Sequence, residues 1–233
     1  QQGLSALDNV TSGLVTGTEA NKITKEPFVI YLSVVDTRGE LTEKARSDVN
    51  ILAVVNPQTK QVALINTPRD YYVDLAGTNS KDKLTHAGLY GVETSMATLG
   101  NLYGVNVEHY LRINFAGFIS IIDAVGGVDL ELTGKEVEYV NGYLVEYKIL
   151  LGRPEGTDYF DDLSGGMVHL NGPQALAYCR NRYIGTDFGR TERQRKVLTE
   201  VIHKLPKGVL TNPKGLIDGL MPNLTTNLTQ TEC

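Results

Sequence analysis

The sequence has no tryptophan, two cysteines and four histidines in 233 residues. That is too little cysteine to staple a fold, and no Cys/His pair has the spacing of metal ligands. No run of about 18 apolar residues exists, so nothing in it reads as a membrane-spanning helix. It has no excess of positive charge: 22 Lys and Arg stand against 27 Asp and Glu, a net charge of −5. An acidic chain of this kind argues against non-specific nucleic-acid binding, and no helix-turn-helix signal is present. A Walker-type glycine loop and a glycine-rich dinucleotide fingerprint are both missing, which removes ordinary nucleotide chemistry. What remains is an ordinary globular composition, 41% hydrophobic and 21% charged, long enough for a substantial core. The first residue is Gln1, so the chain reads as a processed or trimmed piece.

Along the chain, residues 1–26 are polar and small and read as a frayed helix or leader ahead of a domain that begins at Pro27. PFVIYLSVVD then reads as a buried strand ending at Asp36, and DVNILAVVN as a second strand. Pro57, Gln58, Thr59 and Lys60 form turn material before the third strand, QVALINT. A hairpin closed there makes Asn56 face Gln61 and carries Asp48 opposite Arg69, so Asp36, Arg46, Asp48 and Arg69 share one sheet edge. Helical spacing follows over Leu89, Val92, Met96, Leu99 and Leu102, stopped by Gly104. A strand near 109–114, a helix over 115–125 and an alternating strand VDLEL come next. Residues 133–166 are aromatic, acidic and irregular and read as an excursion of short strands and loops. Asn171 and Pro173 mark a capped short helix. A helix over 191–205, a last helix opened by Pro213 and the start of a further helix from Thr225 complete the reading. Strands alternating with helices around one antiparallel hairpin make this an α/β fold, a central mixed sheet with helices on both faces.

Five of the ten arginines fall in YCRNRYIGTDFGRTERQRKV, residues 178–197. Arg180 and Arg182, two apart on an extended backbone, project from one face. Arg190 and Gln194, four apart, stack on a helix. Together they aim three cations and an amide at one spot, the chemistry of a phosphate or pyrophosphate site. Arg193, Arg195 and Lys196 read as a solvated basic face. Cys179 reads as a small buried hydrophobe, and a bond to Cys233 stays open. Asp36 and Asp48 beside the arginines are equally compatible with Mg²⁺ ligation and with plain ion pairing.

The ordered blocks VDTRG, ARSDVN, NTPRDYYV, KLTHAGLYG, INFAGFISIIDAVGGVDL, HLNGPQALAYCRNR and DFGRTERQRKVL resemble the LytR-CpsA-Psr family, with the capsule-associated branch nearest in wording. The resemblance covers about residues 28–205. It implies an extracytoplasmic domain of α-β-α type (27–233), held at the bacterial membrane by an N-terminal anchor that would precede residues 1–26. It implies a Mg²⁺-dependent phosphotransferase that moves a phosphoglycan, capsular polysaccharide or wall teichoic acid, from a polyprenyl-pyrophosphate carrier to peptidoglycan. A module that binds or presents the lipid, or a lipid pyrophosphatase, is the alternative. On the family pattern Asp36 and Asp48 match the Mg²⁺ carboxylates. Arg46, Arg69, Arg180, Arg182, Arg190 and Gln194 match the pyrophosphate ligands, and Arg38 fits the family's wording after the aspartate. Asp187 matches an active-site acid, and Arg69, Arg180 and Arg182 share the catalytic role with it. Leu89, Val92, Phe115, Phe118, Ile119 and Ile122 are candidates for the lipid-tail groove.

Overall fold

The computed structural model describes residues 26–35, 37, 41, 44–150, 154, 156–181, 185, 187–211 and 213–228. The reading of residues 1–25 as a leader lies outside them. Nine strands and seven helices are described. Strand β1 (Phe28–Val35) is central in a five-stranded sheet of order β3-β2-β1-β6-β9. β2 (Ser47–Asn56) and β3 (Gln61–Asn66) form the expected hairpin, with Asn56 facing Gln61 and Ile51 facing Asn66. β6 (His109–Ile113) runs parallel to β1, and β9 (Leu224–Thr226) pairs antiparallel with β6. The sheet is therefore mixed.

Two hydrophobic layers lie on opposite faces of this sheet. On one face Tyr31 and Leu52 pack with Leu84 and Ala87 of α1 (Leu84–Ala87) and Val92, Met96 and Leu99 of α2 (Val92–Tyr103). The spacing of the last three is the helical stripe legible in the sequence, and Gly104 stops α2 at φ 66°. On the other face Val34, Val49 and Ile51 pack with α3 (Phe115–Ala124), α4 (Gly134–Leu150), α5 (Gly172–Arg180) and α6 (Asp187–Thr211). α7 (Pro213–Leu220) lies against α3.

Two small sheets extend the domain. β4 (Tyr72–Leu75) pairs with β5 (Ser80–Lys83), and β7 (Val128–Thr133) with β8 (Gly165–Leu170). At Gly127, φ is 79° and a Cβ would stand 2.5 Å from His169 Nε2, so the turn into β7 needs glycine.

Three expectations are corrected. Residues 134–150 are helical rather than short strands and loops. The signal was a capping box: Glu136 accepts from Thr133 N–H (2.8 Å) and Thr133 Oγ1 accepts from Glu136 N–H (3.2 Å). Val137, Val140 and Leu144 then bury one helical face. The segment from Thr225 begins in a strand, not a helix, because the β6 edge offers unpaired backbone groups. The helix expected over 191–205 runs from Asp187 to Thr211.

The register between β1 and β2 slips once. Val34 faces Val49 and Val35 faces Ser47, leaving Asp48 as the extra residue of a β-bulge. Such a bulge turns its residue away from regular alternation. Ser47 and Asn50 stay on the α2 face in a buried polar seam: Tyr31 Oη donates to Asn50 Oδ1 (2.6 Å), and the Ser33 and Ser47 hydroxyls are 2.6 Å apart. Burial pushes the Tyr31 phenol above its ordinary value. Asp48 is left free to meet the arginines.

Candidate functional site

Asp48 is 7% exposed and sits at the end of β2 nearest the start of α6. Arg69, three residues beyond β3, donates through Nη1 to Asp48 Oδ1. The hairpin register continues past β3 by a bond from Thr67 N–H to the Asn50 carbonyl (2.9 Å), which brings Arg69 to this level. Arg180, the last residue of α5, places Nη2 3.4 Å from Asp48 Oδ2. Its guanidinium lies 4.2 Å from the centre of the Phe115 ring, a cation–π contact that fixes its plane. Gln194 donates through Nε2 to the Asp48 carbonyl (3.5 Å). Arg190, one turn before Gln194 on α6, places Nη2 3.3 Å from Asp70 Oδ2.

Asp70 is the hub that sequence reasoning missed. Its carboxylate also meets Lys83 Nζ at 3.0 Å and Arg69 Nε at 3.7 Å. Burial opposes ionisation of Asp70. The Lys83 hydrogen bond and the charges of Arg69, Lys83 and Arg190 more than offset it, and the carboxyl is held below its ordinary value. The available signal was position alone, an aspartate directly after Arg69 in the PRD block.

Asp48, Arg69, Arg180, Arg190 and Gln194 line one recess with a volume of about 10 Å³, room for about one water. Among the described residues, three guanidinium groups line the recess with one carboxylate, Asp48, and a second, Asp70, lies beside it, so planar cationic donors outnumber the carboxylates. In this arrangement the Asp48 carboxylate occupies the arginines in the way an anionic ligand would.

α5 and α6 are held in place by groups that carry no charge to the recess. Asn171 and Gln174 cap α5 reciprocally, and Gln174 Nε2 donates to the Asp158 carbonyl (2.7 Å). Asn66 Nδ2 donates to the Thr191 carbonyl (2.8 Å), tying α6 to the end of β3. Arg193 is 4% exposed and donates to the carbonyls of Tyr178 (3.0 Å) and Asn181 (2.6 Å). The expected solvated face thus loses Arg193, which is a buried clamp between α5 and α6. Arg195 pairs with Glu192 at the surface as expected.

Arg180 also differs from the sequence reading. It ends a helix rather than a strand, because the capped helix that starts at Gly172 persists through it. Arg182, Asp36 and Arg38 lie outside the described residues, as does the side chain of Asp187, the first residue of α6. Arg46 is exposed just before β2 and is not among the residues lining the recess. Cys179 is buried, and burial pushes its thiol up to about 12. Cys233 lies outside the described residues.

The six candidate tail residues do not share one surface. Phe115, Phe118 and Ile122 are buried in the α3 layer, with Ile119 packed against them. Leu89 is exposed, and Val92 belongs to the α2 layer. Val92 also lines a cavity of about 660 Å³ with Tyr90, Tyr110, Arg112, Met221 and Leu224. Among the described residues no cluster of three or more His, Cys, Asp or Glu is arranged to hold a metal, and no helix is long and apolar enough to cross a membrane.

Comparison with known proteins adds context to this geometry. Residues 6–233 match the sequence model of the LytR_cpsA_psr family. A Bacillus cereus protein named polyisoprenyl-teichoic acid–peptidoglycan teichoic acid transferase TagU is 39% identical over 219 residues, covering 92% of this chain and 65% of the relative. The chain thus spans just under two thirds of that relative's length. A structure of TagT bound to LI-WTA is 28% identical with a TM-score of 0.70, covering 89% of this chain and 71% of that one. A structure of the LytR-CPS2A-psr family protein YwtF (TagT) with bound octaprenyl pyrophosphate lipid is 25% identical with a TM-score of 0.66, covering 90% and 71%.

Proposed function

The chain belongs to the LytR_cpsA_psr family, and on that premise we propose that it is the extracytoplasmic phosphotransferase domain that moves a glycopolymer from a polyprenyl-pyrophosphate carrier to peptidoglycan. The observation that carries this reading is the convergence of Arg69, Arg180, and the Arg190 and Gln194 pair of α6 on one recess from three separate parts of the chain. Three guanidinium groups can share the non-bridging oxygens of a pyrophosphate and neutralise the charge that builds as its bridge breaks. In the reaction the acceptor hydroxyl attacks the phosphorus that bears the glycan, and polyprenyl phosphate leaves with the electrons of the broken P–O bond. Asp187 is the candidate to take the hydroxyl proton or to orient the arginines.

Mg²⁺ fits the donor set as a proposal. Asp48 supplies hard carboxylate oxygens, and Asp36 follows Val35, which pairs with Ser47 beside Asp48. One or two carboxylates with phosphate oxygens are enough for this ion. Asp36 and Asp48 would hold it, and bound there it would supply charge neutralisation at the pyrophosphate. For the chain's own residues the consequence is exchange: an anion in the recess takes Arg69 and Arg180 away from Asp48. Arg38, Arg46 and Arg182 are proposed to complete the anion shell. The lipid tail is proposed to run along the α2 face past Val92, where Tyr90, Met221 and Leu224 line a cavity together with Lys44, Glu93 and Arg112, with Phe115, Phe118 and Ile122 serving as core.

The named relatives act on teichoic acid, which supports that polymer class alongside the capsule-type polymer suggested by the wording of the motifs. An N-terminal membrane anchor is part of the same proposal. The test begins with mass spectrometry of lipid extracted from the purified protein, wild type against Arg180→Ala. A polyprenyl phosphate or pyrophosphate in the wild type that the variant loses supports the site. Transfer of a lipid-linked glycan to peptidoglycan should fall about 10²–10³-fold in Arg69→Ala or Arg180→Ala, the scale for removing one preorganised charge donor. Release of polyprenyl phosphate without glycan transfer would identify a lipid pyrophosphatase instead.

A further inference from the structure

The solvent face of the β4–β5 hairpin continues outward from the anion recess. β4 alternates strictly: Val73 and Leu75 are buried in the α2 layer, while Tyr72 is 64% exposed. Tyr72 stands opposite Lys83 and Asp74 opposite Lys81, so these four side chains share one face. Lys81 Nζ lies 3.5 Å from Asp74. Lys83 Nζ reaches Asp70, whose other oxygen meets Arg190. Tyr72 is thus the cross-strand neighbour of a lysine that touches the hub of the recess.

An exposed aromatic ring set among ammonium and carboxylate groups has the chemistry that recognises a pyranose. The C–H face of a sugar packs on the ring, and its hydroxyls bond to the charged groups. A membrane-inserting patch is disfavoured here, because Asp74 projects into solvent on the same face. Resting on the reading in the preceding subsection, we propose that Tyr72, Asp74 and Lys81 form a saccharide platform that holds a pyranose beside the reacting phosphorus. That ring belongs to the acceptor strand, because the face runs outward past Lys83 and Asp70 rather than into the recess; occupancy by the first sugar of the donor is the other outcome of the test.

The test titrates the chain with chitotetraose and, separately, with geranyl pyrophosphate, using wild type, Tyr72→Ala and Tyr72→Phe, with circular dichroism to confirm folding. Tyr72→Ala should weaken chitotetraose binding about tenfold, the scale of one aromatic contact. Tyr72→Phe should retain it, and geranyl pyrophosphate affinity should be equal in all three. If chitotetraose shows no such dependence, but adding N-acetylglucosamine to the pyrophosphate of the geranyl ligand raises affinity in a Tyr72-dependent way, the platform is assigned to the donor sugar. No dependence on Tyr72 for either sugar ligand overturns the proposal. So does a Tyr72→Ala defect confined to anionic phospholipid vesicles. Failure of geranyl pyrophosphate to bind wild type, with the sugar dependence intact, would overturn the pyrophosphate reading while still supporting the platform.

Discussion

Arg193→Met tests whether the site is assembled from behind. The guanidinium donates to two carbonyls, Tyr178 at 3.0 Å and Asn181 at 2.6 Å, at the carboxyl end of α5. Those carbonyls have few other routes to satisfaction at a helix end. Hydrogen bonds from a charged donor contribute about 1.5–3 kcal/mol each. Methionine fills much of the volume and removes a buried charge, so some of this loss is returned. The net expectation is destabilisation of about 3 kcal/mol. With a urea m-value of roughly 2–3 kcal/mol/M, the unfolding midpoint should drop by about 1–1.5 M. Arg180 ends the same helix, so geranyl pyrophosphate affinity should fall as well, by about tenfold or more, even where the protein remains folded. Arg193→Lys should recover only part of both losses, because an ammonium lacks the planar fork. A midpoint within about 0.3 M of wild type, with affinity unchanged, would refute the clamp.

Other expectations follow from single residues. Gln174→Ala removes one half of the α5 capping box and the bond to the Asp158 carbonyl, and should cost about 1–2 kcal/mol in urea unfolding. Gly88→Ala would bring a Cβ to 2.2 Å from the Ala45 carbonyl oxygen. Overpacking there should cost about 1–3 kcal/mol and weaken pyrophosphate binding by shifting the approach to Asp48. The Cys179 thiol, raised to about 12 from an ordinary value near 9, should resist alkylation at pH 8 until the protein unfolds, as peptide mass mapping would show. Its stabilising contribution is fully present below pH 9 and is lost as pH rises toward 12, by at most about 1.4 kcal/mol per pH unit. A native-state alkylation rate equal to that of the unfolded protein would contradict this burial.

Much of the sheet was legible because its signals are local. Four turn residues set the β2–β3 register, and Asp48 and Arg69 meet as that register requires. α2 and α3 announce themselves by apolar spacing and glycine stops. The α4 helix was obscured because tyrosines, Asn141 and Gly142 interrupt its apolar stripe, although its capping box stood in the sequence. β9 was illegible for a different reason: three residues become a strand only because β6 lies beside them. At the site, residue types were readable and their support was not. Arg193 is indistinguishable from a surface arginine until α5 and α6 are packed together. Asp70 gains its meaning from Lys83 and Arg190, which lie 13 and 120 residues further along the chain.

The short strand β9 has a consequence for how the domain comes into being. Its partner edge on β6 is sealed by residues 224–226, and Asn227 reinforces the seal by accepting from Tyr110 N–H (2.9 Å) and donating to the Glu108 carbonyl (2.6 Å). These contacts span more than a hundred residues, so a chain emerging amino end first can make them only long after β6 has appeared. Until then β6 presents an open edge to whatever surrounds the growing chain. A chain that emerges amino end first carries this exposed template until residues 224–227 arrive, and the time taken to add them, more than final stability, then sets how much of it is lost to aggregation.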